Sequence, residues 1–400
     1  MSARVCSYSW LVVLAACSSG AGGSSGGSSG TAGSSGARSS TGSGSSTGRG
    51  TTGTGGYGTG TGGQGTGTGG SSSGTSSGTA SSSSSGGSAG ADYRFPSTSV
   101  FYQDISGATA DPNSAAVMAA IGSWGGSGDF QIDFSMNILY GNSQNPMQPF
   151  TEAAGYYSPD CDDTPFPQLP ADGGIEGQEG TATPYGCPLK GDCHLLVYQG
   201  HWLFEMYNAV TDTGQWNGNL TGLCEVAWDL THDYWTYGAT PYSRGDQCTS
   251  TDAAGMPVAP LLVTGADLAS GVVAHALRFI LPNDKMQAGY YLHPGTHAGG
   301  PTGAAPLPIY GSRFRLRSSF DVTTLPNAAA QAVAVALQKY GMFLDDGGNI
   351  PLTFDQSAQA YIGSHDLGAI QVSDFELIDS PDPAVTLTYD CERTPLTTTN

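Results

Sequence analysis

Between Ser18 and Ala91 the chain runs for 74 residues in which only Arg38, Arg49, Tyr57 and Gln64 are not Gly, Ser, Thr or Ala. Such a stretch has almost no apolar surface with which to offset the entropy of ordering its backbone, so no packed core can form in it. Whatever the protein does as a folded object therefore falls in 92–400, and as a Gly/Ser coil the stretch spans about 45 to 50 Å root-mean-square. The same break sorts the charge. None of the 33 acidic residues precedes residue 92, and ten of the thirteen basic residues follow it, which leaves 92–400 with a formal charge of −23. A surface of that sign repels phosphate backbones, so nucleic acid is excluded as a partner.

Ahead of the spacer, residues 1–17 carry Arg4, an apolar run from Trp10 to Ala16, and the tetrad Leu14-Ala15-Ala16-Cys17. A basic start, a short apolar run and small residues outline an export signal too short to be a mature membrane span. The tetrad resembles the lipobox of bacterial lipoproteins, in which the cysteine is acylated. The chain thus divides into a signal with a lipidated Cys17, a linker over 18–91, and one domain over 92–400, lipid-anchored at the cell envelope, periplasmic or on the surface. The anchor would be its only membrane contact. Six cysteines then remain in the domain: Cys161, Cys187, Cys193, Cys224, Cys248 and Cys391. An even count in an exported chain predicts disulfides, and we pair Cys187 with Cys193, Cys224 with Cys248, and Cys161 with Cys391. None lies in a CxxC pair, which argues against zinc.

Past Asp92 the pattern is short extended runs broken by Gly, Pro, Asn and Asp. The runs 130–140, 194–199, 202–209, 223–230, 272–282, 312–322 and 369–378 are rich in Val, Ile, Phe, Tyr and Trp, and several alternate with period two. One helix interrupts them: 326–341 is Ala-rich, starts after Pro326 and Asn327, aligns Val333, Leu337 and Tyr340, and stops at Gly341. With no βαβ rhythm, the expected fold is mainly β, a jelly-roll-like sandwich of two antiparallel sheets with one packed α-helix.

Several text blocks are specific as a set: GGIEG (173–177), GDCHLLV (191–197), LFEMYNA (203–209), TSTDAAGMPVAPLLV (249–263), HALRF (275–279), RFRLRSSFDV (313–322) and KYGMFLDDGG (339–348). Through them nearly the whole domain resembles a widespread family of secreted bacterial proteins of uncertain activity. The resemblance implies a single domain and an extracellular role, and no reaction. Where that family reads Ser-Gly-Ala before Phe-Asp-Leu, this chain carries Cys224 to Leu230, with Cys224 added.

The chemistry must come from side chains. Alternation along 312–319 puts Arg313, Arg315 and Arg317 on one face, a row that needs something anionic against it. Either an anionic or hydroxyl-rich ligand or internal acids would serve. Glu205 and Asp229 stand in apolar runs beside Phe204, Met206 and Trp228. A carboxyl so placed either meets an arginine or has a raised pKa suited to proton transfer. As a pair they would act as acid and nucleophile or base in glycoside hydrolysis, with Tyr207, Trp228, His194 and Arg278 as substrate contacts. His297, in the Gly/Pro-rich loop 291–300, is a proton-transfer candidate that with Tyr207 and the arginines would suit a polysaccharide lyase. His293 and His297 lack the further ligand spacing of a metal site. The Asp-rich turns at 160–163 and 345–349 hold residue types that bind calcium and equally form turns, so no cofactor is required. No GxSxG elbow or phosphate-cradling loop occurs.

The expected function is accordingly a surface-tethered glycoside hydrolase acting on an extracellular polysaccharide or oligosaccharide. A non-catalytic carbohydrate-binding lipoprotein is the alternative. One groove lined by Glu205, Asp229, Arg313 and Arg315 with Tyr207 and His297 is the expected site, because opposite charges in apolar strands are least costly when they meet.

Overall fold

The structure, a computed structural model, describes residues 93–396 except 143, 145, 172, 179–184, 188–192, 212–217 and 236–243. The signal 1–17, the linker 18–91 and Cys17 lie outside the described residues. Those described belong to one compact unit, and the fold is mainly β.

Ten strands make two sheets: β1 (Ile132–Met136), β2 (Ile138–Tyr140), β3 (Leu195–Gln199), β4 (Trp202–Tyr207), β5 (Cys224–Asp229), β6 (Leu277–Leu281), β7 (Arg313–Leu316), β8 (Met342–Gly347), β9 (Leu352–Asp355) and β10 (Phe375–Leu377). A six-stranded sheet runs in the order β1-β9-β6-β8-β7-β10 and a four-stranded sheet in the order β5-β4-β3-β2. The expectation of purely antiparallel sheets does not hold. The pairs β1/β9, β6/β8 and β2/β3 are parallel. Period-two alternation reveals that a run is a strand but not its neighbour, and parallel neighbours need long crossovers. The long chain segments between these partners supply them.

The four-stranded sheet is buried on both faces. Leu196, Tyr198, Leu203, Val226 and Trp228 join the main core together with Leu277, Phe279, Phe314 and Phe343 of the larger sheet. Leu195, Val197, Phe204, Met206 and Ala227 face a second core closed by Phe166, Leu169, Ile175 and Tyr185. This is why 194–199 reads as nearly continuous apolar text instead of alternating.

The foreseen helix is α3 (Ala328–Lys339), with α1 (Ser114–Ile121) and α2 (Gly265–Ser270) ahead of it in the chain. Asn327 caps α3 by accepting a hydrogen bond from the Ala330 N–H at 2.9 Å, and Ala330, Val333, Ala334 and Leu337 are buried. Gly341 follows at φ +69°, where an added Cβ would stand 2.3 Å from the Phe314 carbonyl oxygen; no other residue fits that approach. The helices α1 and α2 were not foreseen. At eight and six residues they are too short for a 3.6-residue period to stand out, although the Thr264–Asp267 capping box of α2 is a legible start signal.

Of the three expected disulfides only Cys187–Cys193 forms; the others are Cys161–Cys224 and Cys248–Cys391. The reason is a strand-like approach of 157–162 to β5, in which the Tyr157 N–H donates to Leu223 O and the Asp162 N–H to Glu225 O. That approach sets Cys161 against Cys224. Cys248 is left to the C-terminal segment, which Gln247 already holds through Thr386 O and the Thr388 N–H.

Candidate functional site

The expected groove is not assembled. Glu205 is fully buried, and its carboxylate accepts four hydrogen bonds: from Trp228 Nε1 (2.9 Å), Thr251 Oγ1 (3.2 Å) and the backbone N–H groups of Val258 (2.9 Å) and Ala259 (2.8 Å). Burial pushes this carboxyl up, and the four donors oppose that push. Asp229 lies on the other face, because Glu205 pairs with Val226 while Asp229 pairs with Trp202. Its Oδ1 caps the turn beyond β5, accepting from Thr231 N (2.9 Å) and Oγ1 (2.7 Å). His297 sits under the 253–255 loop, with Nδ1 3.1 Å from Ala253 O, and burial lowers its pKa.

Arg313 and Arg315 alternate with the buried Phe314 and Leu316 along β7, Arg317 follows the end of that strand, and all three are held internally. Arg313 donates to Tyr340 O and Gln103 O, Arg315 to the Ile105 carbonyl and, at 2.6 Å, to Glu376 directly across the ladder, and Arg317 to Phe375 O. Of the two Asp-rich turns, Asp162 binds Arg244 and Arg393. Asp345 of the other binds Arg278.

The residues the structure does bring together form a polar stripe across four adjacent strands of the larger sheet. Asp133 of β1 is in register with Thr353 of β9. Arg278 of β6 reaches Thr353 Oγ1 through its NH1 (3.2 Å) on one side. On the other side it meets β8, with Nε 3.3 Å from Asp345 Oδ2 and NH2 3.8 Å from Asp346 Oδ2. Two successive residues of β8 can both approach one guanidinium because the ladder is bulged there. Phe279 pairs with Leu344 but Ile280 with Asp346, so Asp345 is the extra residue. A bulge re-aims side chains in this way.

Two loops and the residue ahead of β3 meet the stripe. The 249–259 loop brings Asp252, whose Oδ2 is 2.6 Å from Arg278 NH2. Glu205 clasps that loop at both ends, through Thr251 and through Val258 and Ala259, so its buried carboxylate positions Asp252. The 173–178 segment brings Glu176, and the start of β3 brings His194. The Nδ1 of His194 is 2.7 Å from Glu176 Oε2, and its Nε2 is 2.9 Å from Thr251 O. Both ring nitrogens face acceptors, the arrangement of an imidazolium. The His194 ring also lies 5.4 Å from that of Tyr207, which stacks on Tyr157 at 6.5 Å.

The electrostatics sort these carboxyls. Burial raises Asp252, and the Asp345 charge beside it raises it further. Burial lifts Asp345 to about 6 despite Arg278. Asp252 and Asp345 both turn an oxygen to the same Arg278 guanidinium, so their titrations are coupled. Asp346 is pushed up to about 7, by burial and then by Asp252. Glu176 moves the other way. Burial alone would raise it, but the His194 charge and hydrogen bonds hold it below the ordinary range. Burial alone would likewise lower His194, yet Glu176 lifts it to about 9. Asp133 is raised by burial, with the Glu176 charge adding to it. The accessible edge is formed by Asp133 with Glu176 and Asp346, whose side chains are 12% and 15% exposed. Asp252 and Asp345 are 1% and 0% exposed.

Of the expected contacts, Arg278 and His194 belong to this cluster, Tyr207 to its aromatic border, and Trp228 to the Glu205 clasp. Glu176, Asp252, Asp345 and Asp346 were not expected as acid–base groups. A signal for them existed: Asp345 and Asp346 end an apolar run, and all four fall within the text blocks quoted above. A separate cleft of about 170 Å³ is lined by Gln103, His293, Arg313 and Asp379 among others. It is small for a polymer, and His293 there is 2.8 Å from Asp246. Among the described residues no group of three or more His, Cys, Asp and Glu side chains is arranged to hold a metal ion. The chain matches no protein-family model, no curated protein and no solved structure.

Proposed function

We propose that the domain is a glycoside hydrolase acting on an extracellular polysaccharide, tethered to the cell envelope through Cys17, and that it belongs with the secreted bacterial proteins its text resembles. One observation carries the reaction: two carboxyls at the accessible edge of one cluster are driven in opposite directions, Asp346 up to about 7 and Glu176 below its usual range. Such a divergence is how a fold assigns acid and base at neutral pH. Asp346, protonated, would give its proton to the glycosidic oxygen. Glu176, ionised and fixed by His194, would act as nucleophile or base at the anomeric carbon. Burial and the Asp252 charge keep Asp346 protonated against the pull of Arg278, and Tyr207 with Tyr157 offers a stacking surface for a sugar ring.

The test is release of reducing ends from a panel of polysaccharides by wild type and by Asp346→Asn. The variant should lose at least two orders of magnitude in kcat with a Tm within a few degrees of wild type, since Asn keeps the shape of the side chain. Equal turnover by the variant, or no release from any substrate, removes the hydrolase reading. The non-catalytic reading draws on the near-complete burial of Asp252 and Asp345, which suits a structural ion network beneath a sugar-stacking surface. Binding without release would favour it.

A further inference from the structure

Resting on that reading of the site, we infer that the glycan it takes carries no anionic groups: a neutral or amino-sugar polymer, and not a polyuronate or a sulfated chain. The accessible edge of the cluster consists of carboxyls, Asp133, Glu176 and Asp346, and among the described residues the cations paired with it are Arg278 and His194. Arg278 is 3% exposed and already faces three carboxyls. His194 is 6% exposed and directed at Glu176. A uronate carboxylate entering here would meet the ionised Glu176, beside a protonated Asp346, in a partly desolvated site where like charges are poorly screened.

Among the described residues, five further arginines are committed elsewhere. The β7 arginines donate to carbonyls of 103–105, Tyr340 and Phe375 and to Glu376. Arg244 and Arg393 both bind Asp162. The formal charge of −23 over 92–400 adds a long-range field of the same sign, which slows the approach of any polyanion. Lyase chemistry on uronates needs a cation to neutralise the substrate carboxylate as the adjacent C–H loses its proton. Among the described residues the cations at the site, Arg278 and His194, already face carboxyls, which disfavours the Tyr/His/Arg lyase expected as a variant of the carbohydrate reading. A neutral or amine-bearing sugar meets no such barrier, and its hydroxyl or ammonium donors match carboxylate acceptors.

The experiment measures binding of the full chain to a neutral β-glucan, to chitosan and to polygalacturonate at 20 mM and 500 mM NaCl, with reducing ends followed in parallel. Polygalacturonate should bind at least tenfold more weakly than the better of the other two at 20 mM. The gap should narrow at 500 mM as charge is screened, and Asp133→Asn should narrow it at low salt. Polygalacturonate bound or cleaved as well as the others overturns the inference while leaving the hydrolase reading standing. Selective binding of the neutral or amino polymer without cleavage supports the inference and removes the hydrolase reading. Binding to none of the three overturns both.

Discussion

Replacing Glu205 by Gln tests whether this residue acts on substrate or positions the loop that carries Asp252. The carboxylate has donors on both oxygens: Val258 N–H and Ala259 N–H on Oε1, Trp228 Nε1–H and Thr251 Oγ1 on Oε2. A glutamine can keep its carbonyl toward the two backbone donors, but its NH2 then faces the Trp228 N–H. Thr251 can turn and accept; the indole cannot. One buried donor is orphaned, at about 1–3 kcal/mol, and the surviving bonds fall from charge-assisted to neutral strength. Removing a buried charge offsets part of this. We expect a net loss of about 2–4 kcal/mol, which for a domain of this size lowers Tm by about 3 to 6 °C. Thermal unfolding followed by circular dichroism, with urea unfolding read from tryptophan fluorescence, measures it. Asp229→Asn, which touches only its own turn, should stay within about 0.5 kcal/mol of wild type. A Glu205→Gln protein that melts within 1 °C of wild type yet has lost all turnover would refute the positioning role and return Glu205 to the chemistry.

Two further outcomes follow from the same structure. His194 is lifted from 6.5 to about 9 by Glu176, so its contribution of about 3 kcal/mol is fully present below about pH 6.5 and is lost as pH rises through about 9; the stability gap between wild type and His194→Gln, read by urea unfolding, should close over that range, and a gap constant from pH 6 to 10 would contradict the assignment. If Cys17 carries the anchor, Cys17→Ser should leave the membrane fraction for the soluble one, and continued partition into detergent would show that something else holds the protein there.

Much of the local structure was legible from the chain alone. The strand runs at 194–199, 202–209, 223–230 and 312–322 follow from β-branched and aromatic density, and β3, β4, β5 and β7 lie inside them. The start and stop of α3 were visible in Asn327 and Gly341 because capping and left-handed backbone are local requirements. The alternation of Arg313 and Arg315 with Phe314 and Leu316 follows from the pleat. What the arginines bind did not: their acceptors come from 103–105, 340 and 375–376, and no local rule relates those positions.

The candidate site divides in the same way. The residue types that could carry charge chemistry, their isolation within apolar text, the excess of acid over base and the export-type cysteine count are properties of the sequence. Which carboxyl is an acid, which a base and which merely a clasp was decided by tertiary structure. Glu205 reads as a reactive group until four donors, from β5 and from both ends of the 249–259 loop, are seen around it. Asp345 reads as part of a turn until a bulge in β8 turns it and Asp346 toward Arg278. The pKa of each is set by desolvation and by charges within a few ångströms, and those neighbours are tens to hundreds of residues away along the chain, so only the folded arrangement of strands and loops fixes them.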